Sequence, residues 1–107
     1  MNLEFTNTTT WEEFAASLPK NANDTDKLMV AICYHFEVEN KDFAEIKTIT
    51  NNYFRRARWS RPVNLSATAN YCAGKGWLSE VGREKSQKLW KLTKSGYETV
   101  KAKMPQL

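Results

Sequence analysis

Histidine occurs once, cysteine twice, proline three times and glycine four times in 107 residues, so the chain is poor in the groups that build metal and nucleophile sites and in those that break helices. The lone histidine, His35, lies on the apolar face of a helical pattern, where a satisfied core imidazole is expected rather than a general base. Cys33 and Cys72 sit inside apolar helical patterns, outside any CxxC or Cys/His set, and are expected as buried thiols rather than a disulfide or redox pair. No metal set can be assembled from one histidine and two separated cysteines. Gly74-Lys75-Gly76 precedes a strand and not a helix, so it lacks the geometry by which a P-loop cradles phosphate. Asp24 with Asp26, and Glu37 with Glu39, are too locally spaced and too exposed for a paired-carboxylate site. The sequence therefore predicts no enzyme, no metal and no cofactor.

Long apolar runs are also missing. The longest, Leu28 to Tyr34, has seven residues, against the roughly 18 to 20 that a membrane span requires, and no span is predicted. The first ten residues, MNLEFTNTTT, show neither a basic n-region nor an apolar h-region, so no secretory signal is read and the cytoplasm is the expected compartment.

What the chain does have is aromatic residues and segregated charge. Four Trp, five Phe and four Tyr supply one compact core at a length that fits a single domain. The net charge of +4 conceals an asymmetry. Residues 1–45 hold nine acids and three lysines, net −6, while residues 46–107 hold thirteen Lys and Arg against three glutamates, net +10. A basic half of that density attracts phosphate, and an acidic half is repelled by it; the alternative is an ordinary solvated surface.

Thr10-Trp11-Glu12-Glu13 matches a capping box and predicts a helix with Trp11, Phe14, Ala15 and Leu18 on one stripe, ended by Pro19 and the polar stretch from Lys20. A second helix is predicted from a cap at Asp24 or Thr25 to about Glu39. Leu28, Ala31, Ile32, His35 and Phe36 share one of its faces, while Met29, Val30 and Cys33 lie opposite, so it is apolar nearly all round. Its second face must meet the Trp11 stripe, a partner subunit, or both. A third helix is predicted from Phe43 or Ala44 to Ala57, with Phe43, Ile46, Ile49, Thr50, Tyr53 and Ala57 inward and Lys47, Asn51, Arg55 and Arg58 outward. The stretch from Trp59 to Pro62 breaks it. A fourth runs from Val63 or Asn64 to about Ala73 on Leu65, Ala69 and Cys72, and Gly74-Lys75-Gly76 ends it. The period then changes: Trp77 to Val81 and Gln87 to Leu92 read as a hairpin around a Gly82–Ser86 turn, and Thr93 caps a last helix carrying Tyr97, Val100 and Met104.

From Asp24 to Met104 this order of elements resembles the winged helix-turn-helix family. Lys75-Gly76-Trp77-Leu78 looks like the (Lys/Arg)-Gly-aromatic-aliphatic step by which such domains leave the recognition helix. Leu92-Thr93-Lys94-Ser95-Gly96 looks like the Leu-Thr-x-x-Gly step after the wing in MarR- and PadR-like regulators. The expected fold class is thus mainly α with a small β-hairpin, a winged helix-turn-helix over residues 24–104 with an N-terminal extension, 1–23, that carries an extra short helix. Arg58 to Pro62 makes a longer and more basic turn than the tightest members have.

The resemblance implies a sequence-specific double-stranded DNA-binding protein, a small transcriptional regulator or mobile-element accessory protein. Its recognition helix, about 63–73, would enter the major groove, and its wing, about 77–92, would lie on the backbone or in a minor groove. With Leu65, Ala69 and Cys72 inward, Asn64, Ser66, Ala67, Asn70 and Tyr71 are left to contact bases; for Asn64 and Ser66 helix capping is the competing reading. Arg55, Arg56, Arg58, Arg61, Lys75, Arg83, Lys85 and Lys88 surround that face as phosphate contacts. A homodimer held by the first two helices is expected, reading a palindrome. Two alternatives stay open. One is a protein-docking module that uses the acidic N-terminal half, since winged helices serve in both ways; the other is binding to structured RNA.

Overall fold

The computed structural model describes residues 10–16, 18, 22–60, 64–85 and 87–103. Arg61, Pro62, Val63, Ser86 and Met104, like Pro19 and Lys20, lie outside them. Among the described residues the chain forms five helices and one two-stranded antiparallel hairpin. None of these described helices is long and apolar enough to cross a membrane.

α1, Trp11–Ala16, begins as its sequence predicts, the Glu13 N–H donating to the Thr10 hydroxyl and that hydroxyl to the Glu13 carboxylate, both at 3.1 Å. α2, Asp24–Glu37, is capped one residue earlier than predicted. Asn23 Oδ1 accepts the Asp26 N–H at 2.8 Å while the Asp26 carboxylate faces the Asn23 N–H, a reciprocal box that a cap at Asp24 or Thr25 would forfeit.

The third helix corrects the prediction more deeply. It starts at Ile46, not at Phe43 or Ala44, because Ala44 is pulled into the sheet: its N–H donates to the Trp90 carbonyl at 2.8 Å and its carbonyl accepts the Trp90 N–H at 2.9 Å. Phe43 consequently points outward, 46% exposed. α3, Ile46–Thr48, runs directly into a π-wound segment, Ile49–Phe54, in which the Arg55 N–H reaches back five residues to the Thr50 carbonyl. The wider turn lets Tyr53 and Phe54, neighbours in sequence, both be buried.

α4, Leu65–Gly74, follows a cap at Asn64. Gly76, at φ +82°, closes it: the Trp77 N–H donates to the Cys72 carbonyl and the Gly76 N–H to Ala73, the paired bonds of a Schellman ending, which needs a left-handed residue at that place. β1, Leu78–Glu84, pairs with β2, Gln87–Leu92. Gly82, predicted in the turn, is inside β1. Between Glu80 and Gly82 the register slips, so Val81 is the extra residue of a bulge and stands 49% exposed. The turn shrinks accordingly, with Lys85 in left-handed geometry at φ 50°. α5, Lys94–Lys103, is capped by Thr93, whose hydroxyl accepts the Gly96 N–H at 3.0 Å.

α2 is the hub, packed by the π segment, α4, α5 and β2, which is why it is apolar all round. Trp11, Phe14, Met29, Val30 and Cys33 are all buried within the one chain. The Trp11 ring lies 5.1–5.5 Å from those of Tyr34, Tyr53 and Trp59, and its Nε1–H donates to the Tyr53 carbonyl at 2.7 Å. α1 therefore shares the core of the remaining helices, and the apolar surface from which a dimer was expected is already covered.

His35 is a buried polar residue of this core, 6% exposed, with Nδ1 2.7 Å from the Tyr53 hydroxyl. Burial disfavours its charged form and holds it below its ordinary value of 6.5, a hydrogen bond with the Phe43 backbone acting in the opposite direction. The unfolded chain therefore binds the proton more readily than the folded one. Stability from this group is full above pH 6.5 and is lost as pH falls from there through the lower folded value. Thermal melts between pH 8 and pH 5 are expected to show this decline in the wild type and a flatter profile in His35→Gln; equal profiles would remove the assignment.

Candidate nucleic-acid interface

The inward stripe of α4 is Leu65, Ala69 and Cys72, all buried, and Asn64, Ser66, Ala67, Asn70 and Tyr71 are all exposed on the other side. Periodicity alone predicts that division, and the fold agrees. The side chains are not equally available, however. Asn64 Oδ1 accepts the Ala67 N–H at 3.0 Å, so Asn64 caps the helix and one lone pair of its oxygen is already used. Asn70 Oδ1 accepts from Lys88 Nζ at 3.2 Å. Tyr71, 53% exposed, lies with its ring 6.3 Å from that of Trp77 and 5.6 Å beneath Lys75 Nζ.

Between α4 and the hairpin runs a groove of about 220 Å³, lined by Ser66, Asn70, Arg83, Gln87 and Lys88 over a floor of Ile46 and Trp90. It meets a second depression lined by Lys47, Thr50 and Asn51, with Ile46, Ser66 and Gln87 common to both. A third, holding Arg55 and Trp59, shares Thr50 and Asn51 with the second. No carboxylate is among the described residues lining any of the three. Glu80 stands behind the first groove, 3.4 Å from Arg83 Nε and 3.9 Å from Lys88 Nζ, and so fixes two cations that would otherwise repel each other. Lys47, Thr50, Asn51 and Gln87 were not among the expected contacts. The spacing of Lys47, Asn51 and Arg55 at every fourth residue was visible on the outward face of the third helix, but what that face turned towards was not.

The predicted phosphate contacts separate into groups. Arg55 lines the track of depressions. Arg56 leans the other way, donating to Glu12 Oε1 of α1 at 2.8 Å; the hydrogen bond from Arg56 is the main reason that the Glu12 carboxyl is held below its ordinary value. Arg58 and Lys85 are exposed, and both occupy left-handed backbone, at φ 59° and 50°, a conformation that costs a side-chain-bearing residue roughly 1 kcal/mol or more. Lys75 is exposed at the end of α4, and Arg83 and Lys88 are tied to Glu80. Arg61 lies outside the described residues.

Cys72, on the inward face of α4, and Cys33, in α2, are buried, unpaired thiols. Burial pushes Cys72 up to about 11, and burial together with the charge of Glu37 pushes Cys33 up to about 12, so neither supplies a thiolate near neutral pH. Among the described residues no group of three or more His, Cys, Asp or Glu is arranged to hold a metal ion. Compared with protein-family models, with curated proteins and with solved structures, the chain matches none.

Proposed function

We propose that the protein is a winged helix-turn-helix DNA-binding protein, a small regulator or accessory factor. In this reading α4 is the recognition helix in the major groove, and the hairpin is the wing along the backbone. The observation that carries it is the composition of one surface. The outward face of α4 bears neutral side chains, Asn64, Ser66 and Asn70 among them short and hydrogen-bonding, and a rim of cations surrounds it: Lys47 and Arg55 on one flank, Lys75 at the end, Lys85 at the hairpin tip. Phosphate contacts that position a duplex and short polar groups that read its edges call for such a division. Left-handed arginine and lysine, where glycine would fit the backbone with less strain, are consistent with cations held for a task.

Fluorescence anisotropy with a labelled duplex at several salt concentrations tests the proposal. Log affinity should fall linearly with log salt concentration. Alanine in place of Arg55, Arg58, Lys75 or Lys85 should each lower the slope by about one and weaken all sequences about fivefold at physiological salt. A variant lacking all four that still folds and binds unchanged would overturn the assignment.

A second reading, as a protein-docking module, draws on exposed apolar side chains away from the groove residues. Phe43 and Val81, pushed outward by the Ala44 bridge and the bulge, line one shallow depression with Phe36. Absence of any salt-dependent DNA binding would favour it.

A further inference from the structure

Asn70 stands on the outward face of α4, and Lys88 reaches across from β2 to donate to its amide oxygen at 3.2 Å. A lysine ammonium carries donors only, so the atom it meets on Asn70 must be the oxygen, and the amide NH2 is turned away from it. Lys88 has further neighbours. Its Nζ lies 5.6 Å over the Trp90 ring and 3.9 Å from Glu80 Oε1, and Arg83 holds the other oxygen of that carboxylate.

An unengaged asparagine presents an acceptor and a donor side by side, the pattern that matches N6–H2 and N7 of adenine. Here one of the two lone pairs of that acceptor is taken by Lys88, and the ammonium charge beside it disfavours the approach of a further donor. What Asn70 and Lys88 offer together is weighted to donors, the amide NH2 beside the remaining ammonium N–H groups. In the major groove the base edge with two adjacent acceptors and no donor is that of guanine, O6 and N7. We propose that Asn70 and Lys88 form one donor pair that reads guanine, so that β2 shares base recognition with α4 and Lys88 is a specificity residue rather than a phosphate contact. This rests on the reading of α4 as the helix in the major groove.

The test is selection of binding sites from a random duplex library by the full chain, followed by anisotropy on the selected site. The wild type should enrich guanine at one position, and 7-deazaguanine there, which lacks the N7 acceptor, should weaken binding roughly tenfold. Lys88→Met releases the Asn70 oxygen and should shift the preference at that position from guanine to adenine. Asn70→Ala should abolish the preference without such a shift. Asn70 is exposed and Lys88 half-buried, and unchanged melting temperatures establish that the variants are folded. Wild-type selection of adenine at that position overturns the pair, as does a Lys88→Met variant that weakens every sequence equally with its base preference intact. Failure to bind any duplex removes the reading of α4 itself and the inference with it, an outcome distinct from binding without guanine preference.

Discussion

Trp11→Ala is expected to destabilise the protein by about 3–5 kcal/mol, a large part of the total stability of a domain of this size. The side chain is fully buried, its ring meets those of Phe14, Tyr34, Tyr53 and Trp59, and its N–H is bonded to a buried carbonyl. Alanine removes the ring contacts and the hydrogen bond together, and the cavity cannot collapse easily between α2 and the π segment. At about 4–8 °C per kcal/mol, the thermal midpoint should fall by at least about 12 °C. Sedimentation of the same variant addresses assembly. A monomeric mass for both wild type and variant at tens of micromolar protein would show that α1 completes its own domain and holds no partner copy, while a loss below about 1 kcal/mol would show that the indole is not docked as described.

Gly96→Ala comes next, at about 3 kcal/mol. A Cβ at this position would run into the carbonyl oxygen of Trp77 and lie 3.0 Å from Leu92 Cδ1. The obstacle is backbone, which cannot rotate aside as a side chain would. That carbonyl is also held in place, accepting the Thr93 N–H at 3.1 Å while the Thr93 hydroxyl donates to the Gly76 carbonyl at 2.6 Å. Relief would require α5 to lift away from the start of the hairpin. Gly74→Ala is the natural control. It lies at the end of α4 with open space around it, and alanine there should be neutral or stabilising by up to about 1 kcal/mol. Urea denaturation that ranks the two substitutions equally would remove the steric explanation.

The same joint brings two short motifs together. Gly76 and Trp77 in one, Thr93 and Gly96 in the other, are nearly twenty residues apart in sequence and form a single contact in the fold. Local chemistry was legible in each: a left-handed glycine after a helix, a threonine cap before one. Their mutual dependence was not, because it exists only once the chain has turned back on itself.

The candidate site divides similarly. Leu65, Ala69 and Cys72 could be assigned inward from spacing alone, and the exposure of Asn64, Ser66, Ala67, Asn70 and Tyr71 followed from the same helix. Charge segregation was equally plain in the amino acids. Spacing could not say that Arg56 would pair with Glu12 across more than forty residues, or that Lys88 would engage the oxygen of Asn70. It could not say either that Lys47 and Asn51 would face the same groove as Ser66.

Local propensities and periodicities, then, determined the order of helices and hairpin, the caps at Thr10 and Thr93, the buried thiols and the inward stripes of α1 and α4, because these depend on residues within one or two turns of each other. Tertiary structure decided the remainder. It drew Ala44 into the sheet and so turned Phe43 outward. It also wound Ile49–Phe54 wide enough to bury two adjacent aromatics. The stripe on α1 and the second face of α2 could have been covered by this chain or by another. That choice rests on contacts between Trp11, Tyr34 and Tyr53, which distance along the chain conceals and only packing brings together.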